Sequence, residues 1–191
     1  MLCEKLPPPE LRFNYSSTYA RDILPKRGLY KFGPYDLELS NKDKIGCVVF
    51  YPVGCEDAKN VLVRGLTEGE DKFSGFEGMF KLPLEIIDAI AYSEEDVEIL
   101  LQQISAQSVE IVYFILEKNR PELYRKSKLI LLMSGVPSQM ISVNTLRNQQ
   151  GLQFVLENVS LSTYAKTGGT PWTISTKENK NVIIMGVSRA R

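Results

Sequence analysis

Apolar residues in this chain gather into short unbroken runs, separated by stretches with helical spacing. Residues 45–51 form one such run, of strand length and closed by Pro52 and Gly54. Residues 55–66 put Ala58, Val61, Leu62 and Leu66 on one helical face. A glycine-rich loop follows at Gly69, Gly75 and Gly78, and residues 84–91 read as a strand. Ser93 with Asp96 resembles a cap followed by an acidic first turn, which predicts a helix to about Gln107. The clearest strand of all covers 109–116, with the sequence VEIVYFIL. Pro121 suits the first turn of a helix running to about Ser134, where Gly135 and Pro137 stop it. A short strand over 140–143 comes next, then a helix from about Leu152 to Gly168 and Gly169. Two more strands are predicted, near 172–174 and at 182–187. The first 43 residues look peripheral, and Pro7, Pro8 and Pro9 favour an extended segment.

Strands alternating with helices imply βαβ crossovers, hence an α/β fold with a parallel sheet covered on both faces. Ligands in such folds bind beyond the carboxyl ends of the strands, which directs attention to the loop after Leu116 and the helix it feeds. With 191 residues the chain can build one domain with a sizeable core. No segment approaches the roughly 18 consecutive apolar residues of a membrane-spanning helix, and residues 1–9 lack a secretory signal pattern. A cytoplasmic location without membrane contact is the resulting expectation.

The chain contains no histidine, which removes Ser-His-Asp, Cys-His and HExxH chemistry together. Cys3, Cys47 and Cys55 form no CxxC pair, so reduced thiols are expected and a metal site is not. Neither GxGxxG nor GxxxxGK[ST] occurs to mark a nucleotide-binding enzyme. Net charge is zero, yet it is unevenly spread. From Arg120 onwards there are ten basic and three acidic residues, against thirteen and twenty before it. Such a split predicts one region suited to polyanions, with chance segregation on a solvated surface as the plainer alternative.

Within that basic part, Tyr124 and Lys128 lie four apart on the helix opened by Pro121, and so share a face. A helix start already favours an anion. Lysine adds a point charge for phosphate, and tyrosine adds a hydroxyl donor and a ring on which a base can stack. Gln139, after the turn GVPS, can donate its amide to a phosphate oxygen or satisfy the turn's own backbone. Lys166 falls in the last turn of its helix, where a cation offsets the dipole without needing a function. Taken singly, each of these residues has an ordinary explanation.

Taken together, PELYRKSK (121–128), GVPSQ (135–139), KTGGTPW (166–172) and VIIMGV (182–187) resemble the MID domain of Argonaute and Piwi proteins. The upstream GLYKFGPYD (28–36) is similar to the segment that leads into that domain, so the resemblance spans about 28–191, closest to short prokaryotic forms. It implies a Rossmann-like sheet flanked by helices over 44–170, after an extended, linker-like segment over 1–43. Residues 171–191 would then open a truncated PIWI domain, whose RNase H-like fold would own the strand at 182–187. It also implies that Tyr124, Lys128, Gln139 and Lys166 grip the 5′ phosphate of a guide strand, with Tyr124 stacking on the first base. Asn119 and Arg120 match the loop that meets the edge of that base, and Arg125 and Lys126 are candidates for neighbouring phosphates, with a solvated helix face as the equal alternative.

The same resemblance bears on catalysis and partners. Its first catalytic aspartate would fall at Ser188, and serine cannot replace a carboxylate as a magnesium ligand. No catalytic residue is therefore expected, and no slicer activity. Mg2+ at the guide's 5′ end would depend on a terminal carboxylate that this sequence does not supply. The implied partners are a 5′-phosphorylated guide RNA or DNA and a PIWI lobe or effector protein, in prokaryotic defence. A protein-interaction scaffold and a generic nucleotide-binding α/β domain are the alternatives.

Overall fold

A computed structural model describes residues 8–104, 109–117 and 120–174 of the chain. Four parallel strands form its centre: β3 (Ile45–Pro52), β4 (Leu84–Tyr92), β5 (Ile111–Leu116) and β6 (Ser138–Ser142), in the order β4-β3-β5-β6. The inner strands β3 and β5 are apolar without interruption because both of their faces are covered. Ile45, Cys47, Val49, Ile111, Tyr113 and Ile115 enter one core. Val48, Phe50, Val112, Phe114 and Leu116 enter the other.

Helices α2 (Glu56–Thr67), α3 (Gly75–Phe80) and α7 (Leu152–Lys166) cover the first face, while α4 (Val97–Gln102) and α5 (Pro121–Met133) cover the second. The expected elements stand, with local differences. The glycine-rich loop holds the short α3, which is kept helical by packing Phe76 and Phe80 against Tyr164. The predicted helix after Ser93 is described only as the short α4; at its start the Ser93 N–H donates to the Asp96 Oδ1 (2.8 Å). Strand β6 begins two residues earlier than its apolar pattern suggests, and Val143 instead opens α6 (Val143–Arg147). The strand expected at 182–187 lies outside the described residues.

The N-terminal part is more deeply built in than an extended segment would be. Strands β1 (Leu11–Arg12) and β2 (Arg21–Asp22) join β7 (Thr173–Ile174) in a small antiparallel sheet, and α1 (Pro25–Phe32) packs beside it. Phe13, Ala20 and Leu29 are fully buried in the first core. The Glu157 carboxylate of α7 accepts from Lys26 and from the Tyr30 hydroxyl (3.4 Å), which fastens α1 to the main body.

Gly28 in α1 tests that packing. A Cβ there would stand 2.1 Å from the Phe13 ring, itself held against Phe32 and Trp172. Helix propensity alone would make Gly28→Ala stabilising by about 1 kcal/mol. Overpacking a buried ring costs about 1–3 kcal/mol, so the clash wins. Urea unfolding of Gly28→Ala is expected at a lower midpoint than for the unsubstituted chain; a higher midpoint would mean that the arm does not pack as described.

Candidate anion site at the edge of the sheet

Among the described residues no strand pairs with the outer side of β6. Alternate residues of a parallel strand turn their polar backbone groups towards the partner strand. The Val112 N–H donates to the Pro137 carbonyl at 2.9 Å, so the carbonyl of the next residue, Ser138, points outwards. Two ammonium groups converge on that oxygen. Lys128, from α5 on one face of the sheet, donates to it at 2.8 Å and to the Ser138 Oγ at 2.9 Å. Lys166, from the end of α7 on the opposite face, donates to it at 2.9 Å and to the Gln139 Oε1 at 2.6 Å. Each long side chain reaches round the edge strand, and they meet over its first two residues.

Among the described residues neither Lys128 nor Lys166 forms an ion pair. Other cations of the basic part do: Arg120 with Glu94 (2.6 Å), Lys126 with Glu98 (2.9 Å) and Arg147 with Asp57 (2.7 Å). Partial burial lowers the pKa of Lys128, and burial followed by the charge of Lys128 lowers that of Lys166. Lys126 moves the other way, raised by its hydrogen bond to Glu98. A neutral carbonyl holding two cations is a poor final partner for them. A tetrahedral oxyanion offers several acceptors and opposite charge, and would relieve the repulsion.

Three of the four expected phosphate residues are thus brought together, Lys128, Gln139 and Lys166, through Ser138. Tyr124 stands one turn before Lys128 and is 45% exposed. It lines an open cleft of about 700 Å³ with Leu116, Glu117, Arg120, Met140 and Ser142. That cleft lies past the carboxyl ends of β5 and β6, where an α/β sheet is expected to take a ligand. The lysine pair instead sits over the amino end of β6, because an edge strand can be approached from the side. The Tyr124 hydroxyl makes no hydrogen bond to the lysines among the described residues.

Of the further contacts expected, Arg120 is paired with Glu94 and Glu117, and Lys126 ties α5 to α4 through Glu98. Arg125 is exposed and, among the described residues, has no ion pair. Asn119 and Ser188 lie outside the described residues. Sequence reasoning missed Ser138, whose main-chain oxygen joins the two lysines. It also missed Thr145, Asn158 and Ser162, which with Gln139 line a groove between β6 and α7. The i, i+4, i+8 series Asn158, Ser162, Lys166 was a usable signal for that groove.

A family model described as the Piwi domain matches residues 111–189, a span that starts at β5 and includes all four expected phosphate residues. Protein argonaute of Cereibacter sphaeroides is 27% identical over 207 residues, covering 95% of this chain and 27% of that protein. The Argonaute/Piwi resemblance holds. Among solved structures, Drosophila Piwi superposes with a TM-score of 0.66 at 12% identity, covering 91% of this chain and 24% of that one. The Argonaute protein from Methanocaldcoccus janaschii gives 0.64 at 15% identity, covering 89% and 27%. The Argonaute-like chain therefore spans about a quarter of the length of the relatives it matches. Among its described residues no helix is long and apolar enough to cross a membrane. Nor does any group of three or more cysteine, aspartate or glutamate residues there stand ready to hold a metal ion.

The lysine pair predicts a pH profile. A lowered pKa means that each ammonium is lost at a lower pH than the usual 10.5. An anion between them favours the charged forms, so its affinity falls as pH rises towards that range. A terminal phosphate loses one of its two charges below about pH 6, which weakens binding on the acid side. Binding of a 5′-phosphorylated oligonucleotide at fixed salt is expected to show a neutral plateau with both declines. An affinity that stays level to pH 10 would contradict this assignment of the lysines.

Proposed function

We propose that this chain is a binding module that anchors the 5′-phosphorylated end of a guide strand, RNA or DNA, in a prokaryotic guide-directed defence system. The observation that carries the reading is the convergence of Lys128 and Lys166 on the Ser138 carbonyl, with no carboxylate to neutralise them among the described residues. A terminal phosphate monoester fits that pair in charge and in number of acceptors. Gln139 would turn its amide to a phosphate oxygen once Lys166 exchanges its Oε1 for the ligand. Tyr124, exposed in the cleft past the carboxyl ends of β5 and β6 and one helical turn before Lys128, would stack on the first base.

On this reading the chain binds and orients but does not cut. Ser188 stands where the resemblance places the first catalytic aspartate, and a serine hydroxyl does not hold the magnesium ion that phosphodiester cleavage uses. Cleavage or other effector chemistry would come from a partner, either a PIWI lobe or a separate effector protein, in the cytoplasm.

Binding of 5′-phosphorylated and 5′-hydroxyl oligonucleotides of one sequence, at one salt concentration, tests the reading. The phosphorylated strand is expected to bind more tightly. Lys128→Ala is expected to abolish most of that preference, a loss of about 1–3 kcal/mol for a charged hydrogen-bond partner. Equal affinity for the two strands would remove the proposal.

A further inference from the structure

Lys166 must stay beside a like charge, and it does so from the last residue of its helix. Thr167 caps α7, and Gly168 then turns the chain with φ 90°. What fixes this stretch is a residue far away in sequence. The Asp36 carboxylate accepts from the Tyr164 hydroxyl at 2.7 Å through one oxygen, and from the Thr170 N–H at 2.8 Å through the other. One side chain thus binds the chain two residues before Lys166 and four residues after it. The neighbouring Tyr35 N–H adds a bond to the Thr170 carbonyl at 3.1 Å.

The rest of the segment is fitted to the same anchor. The Tyr164 ring stacks on Phe80, with centroids 4.4 Å apart and planes 8° from parallel. Gly169 lies against the other parts of that ring, since a Cβ there would stand 2.3 Å from it. Lys42 donates to the Thr167 carbonyl at 2.7 Å and to Glu110 at 2.6 Å, and Glu110 in turn accepts from the Gly46 N–H at 2.8 Å. The end of α7 is therefore tied both to the arm before β3 and to the start of β3.

We infer that Asp36 is a positioning residue for phosphate recognition: its carboxylate clamps residues 164–170 so that the Lys166 ammonium is held at the Ser138 carbonyl beside Lys128. This rests on the guide-anchor reading above. Without the clamp, repulsion between the two ammonium groups would move Lys166 off the pocket, because the last turn of a helix frays readily. Asp36 itself touches no ligand.

The test is the ratio of affinities for 5′-phosphorylated and 5′-hydroxyl oligonucleotides, measured on the chain and on its variants. Asp36→Asn keeps the shape but replaces one acceptor by a donor; Tyr164→Phe keeps the stacked ring and removes one link. Each is expected to lower the ratio roughly three- to tenfold while changing 5′-hydroxyl binding by less than about twofold. In a Lys166→Ala background the same substitutions are expected to change the ratio by less than about twofold, because nothing remains to be positioned. An equal loss in both backgrounds would make Asp36 a general structural staple and overturn the proposal. So would an unchanged ratio in both variants while Lys166→Ala lowers it, with the guide-anchor reading left standing. If Asp36→Asn does not fold, Tyr164→Phe decides alone. Should the unsubstituted chain bind both strands equally, the guide-anchor reading falls and takes this inference with it.

Discussion

Two ammonium groups sharing one main-chain oxygen is the arrangement on which the rest of the site depends. Like charges are placed side by side only when the fold compels it, and here two opposite faces of one sheet supply them. Helix α5 brings Lys128 from one side and α7 brings Lys166 from the other. The place where they can meet is the edge of β6, where an outward carbonyl gives them a shared acceptor. Edge strands usually need protection from unwanted pairing, and positive side chains are a common means. Two lysines folded over the edge of β6 fit that purpose too.

The fold sets up this meeting through its two separate cores. Residues of β3 and β5 alternate between them, so each helix layer is fixed to the sheet independently. Tyr113 of β5 and Thr163 of α7 share a buried hydrogen bond of 2.8 Å, three residues before Lys166. On the opposite side Leu131 of α5 is fully buried against the second core, three residues after Lys128. Each lysine stem thus starts from a well-packed helix, and its partly buried ammonium is held at the Ser138 carbonyl. A compact point charge on a rigid base suits recognition of a terminal phosphate by charge.

Much of this was legible in the chain because burial on both faces leaves a strong mark. The runs at 45–51 and 111–116 are apolar throughout for that reason, and Pro121 and Gly135 bracket α5 as punctuation. Short elements were harder to read: α3 is held by Tyr164 and α6 by the pairing of Arg147 with Asp57 of α2, distant partners that no local pattern reveals. The depth of the N-terminal arm was hidden as well, since nothing local separates the buried Phe13 from the exposed Tyr15 and Tyr19 that follow it. In the candidate site, Lys128, Gln139 and Lys166 could be chosen through a resemblance, which also chose Tyr124, standing apart from them. Ser138 could not, because its contribution is a backbone oxygen and any residue type has one. Asp36 escaped for another reason: its partners Tyr164 and Thr170 are more than a hundred residues away in sequence.

The claim at the centre of this account is that the lysine pair at the β6 edge is a seat for a terminal phosphate. A crystal structure of the chain with a short 5′-phosphorylated oligonucleotide would test it directly. The account predicts the terminal phosphate within hydrogen-bonding distance of both the Lys128 and Lys166 ammonium nitrogens, with Ser138 relieved of at least one of them. A phosphate seated elsewhere, with both lysines still on the Ser138 carbonyl, would contradict it.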